Sequence, residues 1–123
     1  MTAISDAREL HPAWTARFNN GDLDGMLELA DPDQVFVPAP GTAVQGAQAK
    51  AALQAFLALN LPITTKVRHV YVMEDIALLI VDWSINGIGP DGNAISLSGT
   101  TADVARKDGQ GWKIVIDNPY GTS

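Results

Sequence analysis

No cysteine occurs among the 123 residues, which removes disulfides, thiol nucleophiles and thiolate metal sites together. A chain without thiols gives a cytoplasmic location as the default expectation. Basic residues are scarce too: eight Lys and Arg face fourteen Asp and Glu, for a net charge of −6. That field repels a phosphate backbone and no basic stripe offsets it, so nucleic acid is not expected as a partner. The acid surplus serves solubility. Long apolar runs are also missing. None approaches the roughly 20 residues that span a bilayer, and the opening MTAISDAREL is acidic rather than signal-like, so no membrane is expected either. Repeats, low-complexity tracts and linkers do not occur, which leaves one domain over residues 1–123. What remains is ordinary globular composition, 46% hydrophobic and 18% charged.

The first third of the chain patterns as helix. Ser5 or Asp6 offers a cap, with Glu9 in a capping-box relation to Asp6. Ile4, Ala7, His11, Trp14 and Phe18 then fall on one helical face. Pro12 cannot donate its backbone N–H, so a kink or a restart is expected there. Asn20-Gly21 ends this helix, and Asp22 caps a short second one reaching about Ala30. A brief strand from Gln34 to Val37 runs into the loop Pro38-Ala39-Pro40-Gly41, and a third helix covers about Ala47 to Leu59. Beyond Pro62, residues 63–74, 76–87, 94–107 and 112–119 form four segments rich in Val, Ile, Thr and aromatics, with Asp91-Gly92 and Asp108-Gly109 as turns. Helices first and a strand meander second define an α+β domain with an antiparallel sheet.

Period-two counting assigns faces. Leu78, Ile80, Asp82 and Ser84 share one side of the second long strand, and Leu79, Val81, Trp83 and Ile85 the other. Both sides are largely apolar, so each needs a cover. A second copy of the chain is the simplest cover for the outer one, which makes a homodimer the expected assembly.

The order helix, helix, strand, helix, meander resembles the nuclear transport factor 2-like superfamily, in its SnoaL-like and ketosteroid isomerase-like branch. Phe18-Asn19-Asn20-Gly21-Asp22-Leu23-Asp24, Gly41 and Gly46, Trp83, and the ending Gly111-Trp112-Lys113-Ile114-Val115-Ile116-Asp117-Asn118-Pro119-Tyr120-Gly121 carry the resemblance. It implies a cone: a curved sheet wrapped around the N-terminal helices, an apolar pocket inside, and dimerisation through the outer sheet face. Function is not implied by fold alone. A ketosteroid isomerase requires a general base, a tyrosine and a protonated aspartate. By resemblance Asp103 matches the aspartate, while Trp14 stands at the tyrosine position and Pro38 near the base. True steroid isomerase activity is therefore not expected. Limonene epoxide hydrolases of the same superfamily use an Asp–Arg–Asp set. Here Ile80 falls at the arginine and Asn118 at the second aspartate, which argues against that activity too.

Three side chains are candidates for chemistry. Asp103, if it points into an apolar pocket, becomes a proton donor near neutrality through desolvation; the bland alternative is a solvated or ion-paired aspartate. Asp82, embedded in Leu78-Leu79-Ile80-Val81-Asp82-Trp83, is either inward and functional or bonded at the sheet surface. His69 titrates near neutrality but sits among Val67, Tyr71 and Met73, where a structural role is the simpler reading. His11, on the helical face of Trp14 and Phe18, is expected to look into the pocket mouth. Trp14, Phe18, Phe36, Phe56, Leu57 and Ile116 are candidate pocket walls, or simply core. Asn118, on the alternation of Trp112, Ile114 and Ile116, either orients a ligand carbonyl or satisfies backbone near Pro119. Two distant histidines do not make a metal site, and the chemistry expected is cofactor-independent acid–base catalysis on a small apolar molecule. A non-catalytic binding or dimerisation module is the alternative.

Overall fold

The structure, a computed structural model, describes residues 3–123. A 3₁₀ turn, Ala7–Glu9, leads into α1, Leu10–Asn19. Asp6 accepts the Arg8 N–H at 2.9 Å to start the turn. The expected interruption is real, and its form follows from proline chemistry. The helix restarts at Leu10, so Pro12 lies in its first turn, where a backbone N–H has no helical partner to lose. Asp22 caps α2, Leu23–Glu28, by accepting the Gly25 N–H at 2.9 Å.

Strand β1, Ala30–Ala39, is longer than its pattern suggests and takes in Pro38-Ala39 of the expected loop, and Pro40-Gly41 turns it back into β2, Thr42–Gln45. Gly41 sits at φ +76°, a conformation glycine adopts without strain. Next come α3, Gly46–Leu57, and the four long strands β3, Ile63–Met73, β4, Ile76–Ile88, β5, Ala94–Asp108, and β6, Gly111–Asp117. All six strands form one curved, unclosed sheet in the order β2-β1-β6-β5-β4-β3. Every pairing is antiparallel except β1 with β6, which is parallel because the whole domain separates those two strands in sequence.

The inner face follows the expected alternation: Ala77, Leu79, Val81, Trp83 and Ile85 of β4 are all buried. They meet two apolar clusters. One gathers Leu10, Leu29, Leu79 and Ile114 at one end, and the other gathers Phe18, Met26, Phe36, Leu53 and Ile85 against α3. Each such fully buried side chain stabilises the fold by about 1.5–3 kcal/mol. Helix α1 is fixed to the sheet by polar links as well. Thr15 and Thr65 share a hydroxyl hydrogen bond at 2.7 Å, and the Asn19 amide pairs with both backbone groups of Ile63, at 2.8 and 3.1 Å.

Two β-bulges decide which side chains look inward. In β3, Val67 pairs with Val81 but His69 with Ile80, so Arg68 is the extra residue. Past it the faces exchange: Val70 packs on the core, while His69 and Tyr71 turn to the outer surface. In β6, Ile114 pairs with Ala105 but Ile116 with Val104, so Val115 is extra. Past that point Ile116 becomes 38% exposed and Asp117 is buried. A single inserted residue reverses the side-chain alternation of everything that follows.

Candidate functional site

Between the two apolar clusters lies a cavity lined by Trp14, Phe18, Phe36, Phe56 and Trp83 among others, with His11, Thr101, Asp103 and Asp117 as its polar side chains. The cavity is small, about 50 Å3, and opens to solvent at its mouth.

His11, Trp14 and Phe18 stand at i, i+3 and i+7 on α1, one face of the helix, and the Thr15 and Asn19 links tie the helix to β3. From that face His11 reaches Asp103 of β5. There His11 Nε2 lies 2.7 Å from Asp103 Oδ2, with His11 5% and Asp103 1% exposed. Oδ1 of Asp103 accepts the Asn118 backbone N–H at 2.6 Å and the Thr101 hydroxyl at 3.2 Å. A carboxylate that already accepts two donors requires a third donor from the imidazole, so Nε2 carries the proton in the neutral ring. Nδ1 then presents a lone pair. Among the described residues it is the one fully buried side-chain nitrogen or oxygen without a hydrogen-bond partner. A buried polar atom left unpaired costs about 1–3 kcal/mol, which a ligand recovers by pairing with it.

Asp117 completes the polar floor. The pairings Val104 with Ile116 and Ala102 N–H with Asn118 O place it directly across the ladder from Asp103. Burial pushes its carboxyl well above the ordinary carboxylate range, and the neighbouring Asp103 charge adds to that rise. Two carboxyls facing each other across the ladder hold one proton between them more readily than none.

The sequence expectations divide accordingly. Asp103 is in the cavity, and Trp14, Phe18, Phe36 and Phe56 are on its wall. Asp82 is not. It lies on the outer face of β4, where the Thr100 hydroxyl donates to it at 2.8 Å and Arg68 Nε approaches to 3.6 Å. Its alternation was readable; which face was inner followed from the neighbouring Leu79, Val81 and Trp83. His69 is likewise outside, stacked on Tyr71 at 5.6 Å between ring centroids, because the Arg68 bulge turned it there. The Val115 bulge removes Ile116 and the Asn118 side chain from the cavity, and Asn118 Nδ2 instead donates to Gly121 O at 2.8 Å. Leu57 packs behind the wall in the α3 cluster rather than on it. Conversely, Asp117 was missed, since one extra apolar residue inside Ile114-Val115-Ile116 leaves no trace in composition. The clue to His11 was its helical phase with Trp14 and Phe18.

Among the described residues, no group of three or more His, Cys, Asp or Glu is placed to hold a metal ion, and no helix is long and apolar enough to cross a membrane.

The profile of the SnoaL-like domain matches residues 12–115 of the chain. No curated protein sequence matches it. Among solved structures, a conserved protein from Planctomyces limnophilus is similar at 19% identity and a TM-score of 0.78, covering 89% of this chain and 88% of that one. A nuclear transport factor 2-like superfamily protein from Salmonella enterica is similar at 19% identity and a TM-score of 0.75, covering 94% and 87%. A domain of unknown function with a cystatin-like fold from Nostoc punctiforme is similar at 19% identity and a TM-score of 0.66, covering 91% and 74%. At such identities the likeness establishes the fold and leaves activity to the site.

Proposed function

The chain belongs to the SnoaL-like domain family, and from that premise we propose that it performs cofactor-independent acid–base chemistry on a small, neutral, mostly apolar molecule in its cone pocket. One observation carries this reading: the buried, unpartnered Nδ1 of His11 at an apolar cavity, in a ring held by Asp103. His11 is the proton acceptor. Asp103 orients the ring and stabilises the imidazolium that forms, an arrangement that does not require Asp103 to accept the proton itself. Among the described residues, no lysine or arginine lines the cavity to receive an anionic group, which favours a neutral ligand.

The direct test is incorporation of solvent deuterium next to the carbonyl of cyclohexanone, followed by NMR. His11→Gln retains an N–H for Asp103 but lacks a basic nitrogen. It is expected to lower the exchange rate by about 10²-fold or more. A wild-type rate equal to that of buffer, or a His11→Gln rate equal to wild type, overturns the reading.

The outer sheet face is assigned to a second copy of the chain, in the cytoplasm. Tyr71, Met73, Ile76, Leu78 and Ile116 form an exposed apolar surface there, and such patches mark interaction sites. Leu78→Asp sits at the centre of this surface and points away from the core. The expected result is a wild-type mass of twice the chain by light scattering, and a single-chain mass for the variant. A monomeric wild type at micromolar concentration argues against the assignment.

A further inference from the structure

Helix α3 begins without a side-chain cap. Gln45, at the cap position, donates its amide to Asp33 O at 3.1 Å instead of accepting from the first turn, and no acidic residue stands in that turn. Asp6 and Asp22 close the 3₁₀ turn and α2, so α3 is the exception. Gly46, Ala47 and Gln48 therefore present backbone N–H groups without helical partners at the positive end of the helix. Gly46 and Ala47 line a second cleft, of about 360 Å3, walled by α2, β1 and α3. It shares no lining residue with the cone cavity.

The same cleft is lined by Gln34 of β1, which is 4% exposed and whose side-chain amide has no hydrogen-bond partner among the described residues. Neither of its amide atoms is sealed in the way His11 Nδ1 is, so the little surface it keeps opens to the cleft. An amide buried in this way is destabilising unless a molecule in the cleft pairs with it. Charge is divided between the walls. On α3, the helix end and Lys50 favour an anion, and Lys50 makes no ion pair among the described residues. On β1, Asp31 Oδ1 accepts the Asp33 N–H at 2.8 Å, while Oδ2 has no donor among the described residues. A phosphate or sulfate would be repelled by Asp31 as it approached Lys50. A molecule with a carboxylate and an ammonium on adjoining carbons satisfies both walls.

We propose that the cleft between α2, β1 and α3 is a binding site for a free α-amino acid. Its carboxylate pairs with Lys50 and the first-turn N–H groups of α3, and its ammonium with Asp31 Oδ2. The Gln34 amide both donates and accepts, so it serves either group. Leu27 and Pro32 offer apolar contact to a small side chain.

The test is titration of the isotope-labelled full chain with L-alanine, followed by amide NMR. Saturable shifts are expected at Ala47, Gln48 and the Gln34 side chain, with a Kd on the order of 1 mM or tighter, within reach of so small a ligand. Propionate, the same skeleton without the ammonium, should bind about 10-fold more weakly. Lys50 is exposed and Asp31 half-buried, so both can be changed without opening the core. Lys50→Met and Asp31→Asn should each weaken alanine binding by a similar factor, and Asp31→Asn should not weaken propionate. Asparagine keeps an oxygen for the Asp33 N–H, so that loss reads the charge rather than the turn. Absence of saturable shifts well above millimolar alanine overturns the site. Propionate or sulfate binding as tightly as alanine, or alanine binding unchanged in both variants, overturns the amino acid as its ligand.

Discussion

Asp117→Asn is expected to make the protein more stable at pH 8 than wild type and no more stable at pH 4. In the unfolded chain Asp117 titrates near the ordinary value of about 3.9. In the fold, burial and the Asp103 charge hold its proton to well above that. Between those two values unfolding releases one proton, so stability falls as pH rises, by up to about 1.4 kcal/mol per pH unit. The stabilising contribution is complete below the unfolded value and lost once pH passes the folded one. Asparagine is neutral at every pH and close to aspartic acid in size and shape. The difference between the two urea-unfolding curves, measured from pH 4 to pH 8, should therefore open steadily and then level off. Parallel stabilities across that range would mean that Asp117 is ionised or solvated in the fold.

That result would also mark where sequence reasoning stops in this protein. The architecture was legible because it rests on strong periodic signals. The phase of His11, Trp14 and Phe18 on α1 and the alternation of Leu79, Val81, Trp83 and Ile85 on β4 both fix an inner face, and both are realised. Asp103 was legible through the resemblance, which sets it at the family's aspartate position. Asp82 and Leu57 missed the cavity from a regular strand and a helix, but the other three failures lie beyond a bulge. His69, Ile116 and Asn118 were placed by counting in twos across Arg68 and Val115, and at each of these positions the count slips by one. Whether a strand bulges depends on how it coils against its neighbours, not on the side chains that happen to occupy it. Arg68 and Val115 share no chemistry, and nothing in either segment separates it from a regular strand. The parallel contact of β1 with β6 was hidden for a related reason. Strand order is set by which edge is left open after the meander forms, and the short turn signal at Pro40-Gly41 says only that β1 reverses.

The second large effect concerns Asp103 as a structural group. Asp103→Ala is expected to cost about 3 kcal/mol or more, since each buried donor left without an acceptor costs about 1–3 kcal/mol. Three donors lose their acceptor at once: His11 Nε2, the Thr101 hydroxyl and the Asn118 backbone N–H. Against a total stability of about 5–15 kcal/mol for a domain of this kind, such a loss approaches unfolding. A second substitution discriminates a genuine network from simple cavity formation. His11→Leu alone strands the Asp103 charge in an apolar site beside Asp117, so it too should be strongly destabilising. In the Asp103→Ala background the same change removes an unpaired donor and fills space, so it should cost nothing or restore stability. The two single losses must then sum to well over the loss in the double variant, with a coupling within the 0.5–3 kcal/mol usual for residues in contact. Additive losses would mean that the 2.7 Å contact contributes no more than its packing, and that the imidazole is free to turn in the cavity. A ring free to turn does not aim Nδ1 at a substrate. The same cycle therefore tests the premise on which His11 was assigned as the base.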